Sequence, residues 1–218
     1  MALDMHPAKI AELPALETIF LEAFPPEEQM PFEFLMRRVR NGRAEFWAFT
    51  DEADGARTNK AVASTGTDGS STDAGKCEDA GPDEAAVPVG LAYCFAPKTA
   101  DDPVYLYYFA MADGARGKGY GTEAMALLAE HYAGHTIFLA LQPRDAEAEN
   151  AEQRVRRHAF YERCGFSDMP FGVVEVGIPY DVMALGGTVT FRDYRAVFAR
   201  YLGWPARLSY PIKLRTQA

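Results

Sequence analysis

Three alternating glycines follow an uncharged, aromatic-rich stretch in the middle of the chain. The stretch reads VYLYYFAM (104–111), and the glycines are Gly117, Gly119 and Gly121. Glycines at this spacing let several backbone N–H groups converge on one small volume, because no Cβ atom obstructs them. A buried strand that runs into such a loop is typical of a site for a phosphorylated ligand.

The residues around the glycines add charge and the start of a helix. Arg116 and Lys118 carry two full positive charges. An amphipathic helix is predicted from about Thr122 to Tyr132, directly after the loop. Its first turn contributes unpaired N–H groups and the positive end of the helix dipole. Together these features predict a site for a diphosphate.

The glycine spacing excludes two common phosphate-binding loops. A Walker A loop requires Ser or Thr directly after its lysine, but Gly119 follows Lys118 here. The dinucleotide fingerprint G-x-G-x-x-G also differs from the G-x-G-x-G of residues 117–121. A nucleotide-dependent kinase or dehydrogenase is therefore poorly supported. A tight glycine turn between a strand and a helix is the structural alternative to a binding loop.

Two motifs together resemble a known family. The spacing R-x-x-G-x-G of Arg116, Gly119 and Gly121 resembles the pyrophosphate loop of the Gcn5-related N-acetyltransferase (GNAT) superfamily. The segment RRHAFYERCGF (156–166) resembles the later motif of that family, in which a helix with F-Y-x-x-x-G-F leads into a strand. The flanking segment EAFPPEEQMPF (22–32) is similar to bacterial members. The resemblance covers nearly the whole chain outside a polar insert.

The resemblance implies a mixed central sheet flanked by helices, with a V-shaped opening between two central parallel strands. Acetyl-CoA is expected to bind there as co-substrate. Its pantetheine arm would pair with the strand before the glycine loop, and its pyrophosphate would lie on the loop N–H groups; no metal is implied. The cofactor-binding residues expected in this way are Phe109, Ala110, Met111, Arg116, Gly117, Lys118, Gly119, Tyr120, Gly121 and Thr122.

The implied activity is acetyl transfer from acetyl-CoA to a primary amine of a small molecule or a peptide. The amine attacks the thioester carbonyl, and the CoA thiolate must leave. Tyr161 matches the tyrosine with which family members protonate that thiolate. A phenol has a reference pKa of about 10, so it is protonated at neutral pH and can act as the acid. Packing beside Phe160 is the alternative role for Tyr161.

The sequence departs from the family where a general base is often found. Relatives often have an acid in the strand before the glycine loop and L-E-V-E in the next strand, whereas LALQ (139–142) stands here. Arg154 also replaces an asparagine that often binds the cofactor. Glu27 or Glu28 is then one candidate for the base, although exposed charge at a helix end is the simpler interpretation of both. A water relay is the other candidate. Otherwise the protein is a catalytically weak or inactive acyl-CoA-binding module with a sensory or structural role.

The hydrophobic pattern predicts the elements that position these motifs. Period-2 and aromatic runs predict strands, and apolar residues at three- and four-residue spacing predict helices. The strands are expected at 45–50, 87–96, 104–111 and 136–141, with a further pair within 173–185 around Pro179. Besides the helix after the glycine loop, helices are expected at 13–24, 31–40, 151–164 and 190–202. No obvious strand precedes the first helix, and the last helix either covers the sheet or forms a homodimer contact.

Residues 51–86 differ in composition from the rest of the chain. They contain no aromatic residue and no Leu, Ile or Met. Such a segment buries too little apolar surface to offset its ordering entropy, so we expect a disordered loop inserted in a β-hairpin. A regulatory or partner-binding arm is the alternative. The whole chain, 1–218, is then expected to form one domain.

Charge and composition exclude several classes of protein. The net charge is −9, of which the nine acids and three bases between Asp51 and Glu84 contribute −6. This balance argues against nucleic acid as the main ligand. No apolar run reaches the roughly 18 residues of a membrane span, and no signal peptide is visible. The three cysteines and four histidines lack metal-ligand spacing. We therefore expect a cytoplasmic protein without a membrane partner. Without a metal to bind, His158 is expected to be a partly exposed helix residue and Cys164 to pack against the sheet.

Overall fold

The computed structural model describes residues 2–51, 87–145, 147–203 and 210–216 of the chain. The predicted insert, apart from Asp51, lies outside these described residues. The helices are α1 (Leu13–Ala23), α2 (Phe32–Arg40), α3 (Tyr120–His131), α4 (Ala151–Arg163) and α5 (Phe191–Leu202). The strands are β1 (Leu3–Pro7), β2 (Ala44–Asp51), β3 (Pro88–Phe95), β4 (Val104–Met111), β5 (Ile137–Leu141), β6 (Ser167–Glu175), β7 (Ile178–Leu185) and β8 (Ile212–Thr216).

The strands form a mixed eight-stranded sheet in the order β1-β2-β3-β4-β5-β7-β6-β8. Among the described strands, β4 and β5 run parallel, and the other neighbours are antiparallel. The parallel pair is in register only at Val104–Ile137 and Tyr105–Phe138. Beyond these residues β4 continues to Met111 without pairing to β5. The sheet therefore opens between β4 and β5, as the predicted fold requires.

Two edge strands have no clear counterpart in the sequence pattern. β1 has the sequence LDMHP and pairs with β2, the strand that enters the predicted insert. β8 has the sequence IKLRT and pairs with β6 at the other edge. Both are short and rich in polar residues, because an edge strand buries only part of its surface. Backbone pairing with a neighbour, rather than local propensity, therefore makes these segments strands.

The hairpin of β6 and β7 turns earlier in the sequence than predicted. The sequence favoured a turn around Pro179, whereas β6 ends at Glu175 and the two-residue loop is Val176–Gly177. Both loop residues have positive φ, 48° and 93°, as a type I′ hairpin turn requires. Gly177 suits this conformation, and Pro179 instead lies within β7 opposite Val174. Glu175 therefore lies at the end of β6, beside the hairpin turn.

Helices cover both faces of the sheet. On one face, α1, α2 and α5 pack over a tyrosine- and phenylalanine-rich layer. On the other face, α3 and α4 pack over a second apolar layer. The last helix covers the sheet through buried residues such as Tyr201, whose ring stacks on Phe95 with centroids 3.7 Å apart. The opening between β4 and β5 thus lies between two helical layers.

Candidate active site

A cavity of about 740 Å³ lies where β4 and β5 separate. Side chains along a strand alternate between the two faces of the sheet. Phe109 and Met111 accordingly belong to the layer below α3 and α4, and Tyr108 belongs to the layer below α1 and α5. Tyr107 packs on the same face as Tyr108, because the register of β4 against β3 shifts at this residue. All four line the cavity, which therefore reaches both faces of the sheet.

The two ends of this cavity differ in their polar groups. The end beside the glycine loop and α4, here called the cationic end, has four arginines in its lining. The end beside the Pro26–Glu28 turn and the β6–β7 hairpin, here called the tyrosine end, has tyrosines and three carboxyl groups. The cationic end includes Arg116, Arg156, Arg157 and Arg163, and the tyrosine end includes Glu27, Glu28, Tyr108, Glu175, Tyr180 and Tyr210.

The glycine loop adopts the conformation that its glycines permit. Gly117 and Gly119 have φ of 77° and 85°, values that an L side chain rarely adopts. Gly119 is the N-cap of α3, so the helix begins at Tyr120, slightly earlier than the predicted Thr122. The first turn of α3 and its dipole therefore lie beside the loop at the cationic end. Arg116 is exposed there, with an ion pair to Asp113 at 2.8 Å.

The structure brings most of the predicted cofactor residues together. Two do not line the cavity with the others. Lys118 is exposed, and the Tyr120 side chain is buried, with its hydroxyl donating a hydrogen bond to the Asp51 carboxylate. The residues that do line the cavity are Phe109, Ala110, Met111, Arg116, Gly117, Gly119, Gly121 and Thr122.

Phe160 connects β4, the glycine loop and α4. Its ring stacks on Phe109 with centroids 6.1 Å apart and an interplanar angle of 10°. A Cβ placed on Gly121 would lie 3.3 Å from the same ring. The glycine at this position therefore allows α3 to approach α4 closely. Through these contacts the aromatic residue of the second motif fixes the glycine loop against the cavity.

Tyr161 follows Phe160 on α4 and lines the cavity. Its ring packs against Phe160 and Phe166, with centroids 5.1 and 5.5 Å away. Burial raises the pKa of the phenol to about 12, and the positive charge of Arg157 partly opposes this shift. The phenol is therefore protonated at neutral pH, as a proton donor must be.

Three other residues considered from the sequence have structural roles in this part of the chain. Arg154 lies outside the cavity lining, and its Nε donates to Asn150 Oδ1 at 2.7 Å. The sequence predicts a partly exposed His158, but the structure buries this side chain of α4 beside Gln142, the residue directly after β5. Its Nε2 lies 3.1 Å from the Gln142 carbonyl oxygen. Cys164 is half-buried below α3, in hydrogen-bond contact with Thr122.

Glu28 is not a simple surface charge. It lines the cavity and is half-buried, and its Oε1 accepts a hydrogen bond from Gln142 Nε2 at 2.6 Å. Burial raises the pKa of the carboxyl, while Arg157 and the Gln142 hydrogen bond act in the opposite direction. Glu27 next to it remains exposed. The cavity therefore contains a carboxylate whose proton affinity is increased by its surroundings.

The turn that carries Glu28 is fixed to the sheet. The Tyr108 hydroxyl donates to the Glu28 carbonyl oxygen at 2.7 Å and accepts from the Met30 N–H at 3.0 Å. Gln29 Nε2 donates to the Phe24 carbonyl oxygen at 2.6 Å. These contacts join β4 to the segment after α1, which is 78 and 80 residues away in sequence. Sequence reasoning could not anticipate this because neither segment carries a local signal for the other.

Glu175 is a second carboxyl in the cavity, and sequence reasoning missed it. It is 5% exposed and lies at the end of β6. Its oxygens accept hydrogen bonds from Tyr194 and, at 2.9 Å, from Tyr210, and Tyr105 also bonds to it. Burial raises its pKa to about 7, although these tyrosine bonds favour ionisation. The available signal was an acid within the apolar run FGVVEVG, where an exposed loop residue would have been ordinary.

The Tyr180 side chain is affected by the charges of both carboxyl groups, Glu28 and Glu175. Burial is the main cause of its raised pKa, and the negative charges of Glu28 and Glu175 both raise it further. Both carboxyls therefore lie within electrostatic range of one side chain that lines the cavity. An anionic ligand suits the cationic end, and an amine suits the tyrosine end.

Within the described residues, no group of three or more His, Cys, Asp or Glu side chains is placed to hold a metal ion. No helix in the same part of the chain is long and apolar enough to cross a membrane.

A protein-family model matches most of the chain. The acetyltransferase (GNAT) family model matches residues 13–166, which include the glycine loop, both central strands and α4. No curated protein sequence matches the chain.

Solved structures share the fold at low sequence identity. A GNAT-family protein from Bacteroides thetaiotaomicron is 21% identical with a TM-score of 0.59, over 89% of this chain and 93% of that chain. The spermidine N-acetyltransferase of Vibrio cholerae, in complex with CoA and spermine, is 12% identical with a TM-score of 0.53, over 84% of this chain and 92% of that chain.

Proposed function

This chain belongs to the GNAT acetyltransferase family, and we propose that it transfers an acetyl group from acetyl-CoA to a primary amine of a small molecule or a peptide. The observation that carries the proposal is the single cavity shared by the glycine loop, the buried Tyr161 and the half-buried Glu28. A diphosphate site, a proton donor and a proton acceptor are the three groups that thioester aminolysis on CoA needs.

The cofactor is proposed to enter from the cationic end. Its pyrophosphate would lie on the N–H groups from Gly117 to Thr122, with Arg116 and Arg156 adding positive charge. The pantetheine amides would pair with the backbone of Phe109, Ala110 and Met111. This assignment is supported by the register of β4, because its side facing β5 is not paired to that strand beyond Tyr105. Backbone polar groups in such an opening need hydrogen-bond partners.

The acceptor amine is proposed to react beside Glu28. Its nitrogen attacks the thioester carbonyl carbon, so that a C–N bond forms and the C–S bond breaks. The proton lost by nitrogen passes to Glu28, and the Tyr161 hydroxyl donates its proton to the departing thiolate. The products are the N-acetylated amine and CoA. Arg157 would stabilise the transient phenolate, since its charge already lowers the pKa of Tyr161. Proton exchange with solvent then restores both groups.

The proposed base differs from the strand acids that many family members use. The cavity wall contributed by β5 and the residue after it has Ala140 and Gln142 where acids are common in relatives. Gln142 cannot accept the proton, but it holds Glu28 through the 2.6 Å hydrogen bond. In this proposal the PPEEQ segment provides the carboxylate, and the Gln142 amide orients it. The solved Vibrio cholerae enzyme with CoA and spermine is consistent with an amine acceptor.

The first test is thermal unfolding with acetyl-CoA, ATP or NADH. At about 100 times Kd, a ligand adds roughly 2.7 kcal/mol, which corresponds to a Tm increase of roughly 5–10 °C for a chain of this size. We expect the increase with acetyl-CoA alone. Thiol release in the presence of an amine panel then tests turnover. Stabilisation without thiol release from any amine would favour the acyl-CoA-binding module, and no stabilisation of the folded protein would overturn the cofactor assignment.

A further inference from the structure

The tyrosine end of the cavity contains a carboxyl that acetyl transfer as described above does not use. Glu175 lines the cavity although its side chain is almost completely buried. It lies at the end of β6, directly before the hairpin turn, and is therefore held on a strand rather than on a loop. Burying an ionised carboxyl costs free energy unless its charge is compensated. A positively charged ligand group would supply that compensation in this cavity.

The hydrogen bonds of Glu175 leave capacity for one more donor. A carboxylate offers about four lone-pair positions. Tyr194 bonds to Oε1, Tyr210 bonds to Oε2, and Tyr105 provides a third contact. All of these donors are neutral hydroxyls. In the part of the chain that the structure describes, no cationic side chain forms an ion pair with Glu175.

The surrounding rings are also suited to a cation. The faces of tyrosine rings attract ammonium groups at close range, most strongly when water is excluded. Five tyrosines line the same end of the cavity as Glu175: Tyr105, Tyr107, Tyr108, Tyr180 and Tyr210. Tyr180 experiences the charges of both Glu28 and Glu175, so the two carboxyls border one continuous space. This space can hold one ammonium at each carboxyl.

We propose that Glu175 and the tyrosines around it bind a second ammonium group of the acceptor, so that the preferred acceptor is a diamine whose other nitrogen is acetylated beside Glu28. The proposal rests on the proposed acetyl transfer for the identity of the reacting end. The binding of the second ammonium does not depend on turnover and can be measured without it.

The raised pKa of Glu175 gives this binding a pH dependence. A cation binds the ionised carboxyl, so diamine affinity increases as the pH rises through about 7. The groups that face Glu175 from β4, β7, α5 and the segment before β8 do not titrate in this range, because burial raises the pKa of each phenol above 10. They are Tyr105, Tyr107, Tyr108, Tyr180, Tyr194 and Tyr210. Glu27 and Glu28 are the other nearby charges, and they act on monoamines and diamines alike.

The test is isothermal titration of the CoA-saturated protein, in which no acetyl group is available for transfer. Putrescine and cadaverine are the diamine probes, and butylamine and pentylamine are their matched monoamines. We expect the wild-type protein to bind each diamine roughly tenfold more tightly than its monoamine at pH 8, and less selectively at pH 6. Glu175→Gln keeps an acceptor oxygen for the tyrosines but removes the charge, so it should bring the ratio close to one. Its affinity for CoA should not change.

Two further variants make the outcome decisive. Glu22→Gln removes an exposed carboxylate of α1 and should keep the diamine preference. Tyr210→Phe removes a donor that favours the ionised carboxyl, so it should move the preference to higher pH, and it substitutes for Glu175→Gln if that variant does not fold. A wild-type protein without diamine preference, or Glu175→Gln with an unchanged preference, would overturn the inference.

Thiol release from acetyl-CoA with the same four amines separates the two proposals. Equal turnover of monoamines and diamines would support the transferase and contradict the diamine site. Diamine-selective binding without thiol release would support the site and contradict the transferase.

Discussion

The cationic end and the tyrosine end of the cavity are built in different ways. The cationic end comes mainly from one stretch of chain, residues 109–122, supplemented by α4. Its proposed ligand contacts are largely backbone N–H groups. The tyrosine end joins side chains from segments that are far apart in sequence, including Glu28, Tyr108, Glu175 and Tyr210. One end is therefore defined by backbone conformation, and the other by side-chain chemistry.

This difference has a consequence for specificity. A substitution leaves backbone N–H groups in place, so a loop that binds through them keeps its ligand when surface residues change. Side chains that converge from separate elements can change individually while the sheet remains intact. We therefore expect cofactor binding and acceptor preference to respond to separate sets of substitutions, with Glu28 and Tyr161 acting between them.

The largest effect is expected from Glu28→Gln. Glutamine keeps the size of the side chain but cannot accept a proton, so kcat should fall about 10³-fold. In the wild-type enzyme, activity should rise with pH through the raised pKa of Glu28, since only the ionised form is a base. Thiol-release assays across pH measure both effects, and that pH-dependent limb should disappear in the variant. The affinity for acetyl-CoA should remain unchanged by calorimetry.

Glu22→Gln is the matched control for this prediction, because Glu22 is an exposed carboxylate on α1. It should retain wild-type kcat. A Glu28→Gln enzyme within a few-fold of wild type would show that the proton leaves by another route.

Tyr161→Phe should have the next largest effect. The ring and its packing are retained, but the thiolate loses its proton donor, so kcat should fall about 10²-fold while the Kd for acetyl-CoA is kept. Because burial raises the pKa of Tyr161 to about 12, the wild-type enzyme should not lose activity through this group at mildly alkaline pH. Single-turnover measurements would test the chemical step directly. An unchanged rate would mean that the thiolate departs without an acid.

Glu175→Gln should change stability in a pH-dependent way. The carboxyl pKa is raised from 4.5 to about 7 in the folded protein, so the folded state binds more protons than the unfolded chain in this window. The wild-type protein should therefore lose free energy of unfolding as the pH rises from 5 to 8, by roughly 2 kcal/mol from this group. Glutamine removes that loss. The free energy of unfolding is measured with urea at pH 5 and pH 8, and the variant should become more stable relative to the wild type at pH 8. A variant-minus-wild-type difference that is the same at both pH values would contradict the raised pKa.

The smallest effect is expected from Gly119→Ala at the cationic end. The added methyl group is strained at φ of 85°, by about 1–2 kcal/mol. Distortion of the loop should weaken acetyl-CoA binding roughly fivefold, while the relative preference among amines stays the same. Gly134→Ala, at φ of 92° after α3, imposes similar strain away from the cavity. Calorimetry should show the weaker binding only for Gly119→Ala, whereas an altered amine preference would link the two ends.

Much of the fold could be predicted because its signals are local. The run VYLYYFAM coincides with β4, and the predicted helices agree with α1, α2, α4 and α5 to within one or two residues. The edge strands β1 and β8 were missed because their pairing partners, rather than their composition, determine their conformation. The sequence predicts the hairpin turn around Pro179, whereas the turn lies at Val176–Gly177, since a proline is only one of several local turn signals.

In the candidate site, too, the features with local signals could be predicted and those that depend on distant contacts could not. The glycine loop and the F-Y-x-x-x-G-F motif could be read from the sequence, because one contiguous segment must satisfy the conformational demands of each. The sequence favours exposed surface charge for Glu28, and only its 2.6 Å bond to Gln142, 114 residues away, gives it a different environment. Lys118 and Tyr120 fit the motif, yet one is exposed and the other is buried in the core.

The sequence by itself determined the family, the strand–loop–helix that suits a diphosphate, and Tyr161 as the candidate acid. These depend on residue types at fixed short spacing, where local sterics restrict the backbone to few conformations. Tertiary structure decided which carboxyls enter the cavity and how readily they ionise. Burial and hydrogen bonds from distant tyrosines set the pKa of Glu175, and a residue's distance from water is a property of the packed sheet and helices that no short segment contains.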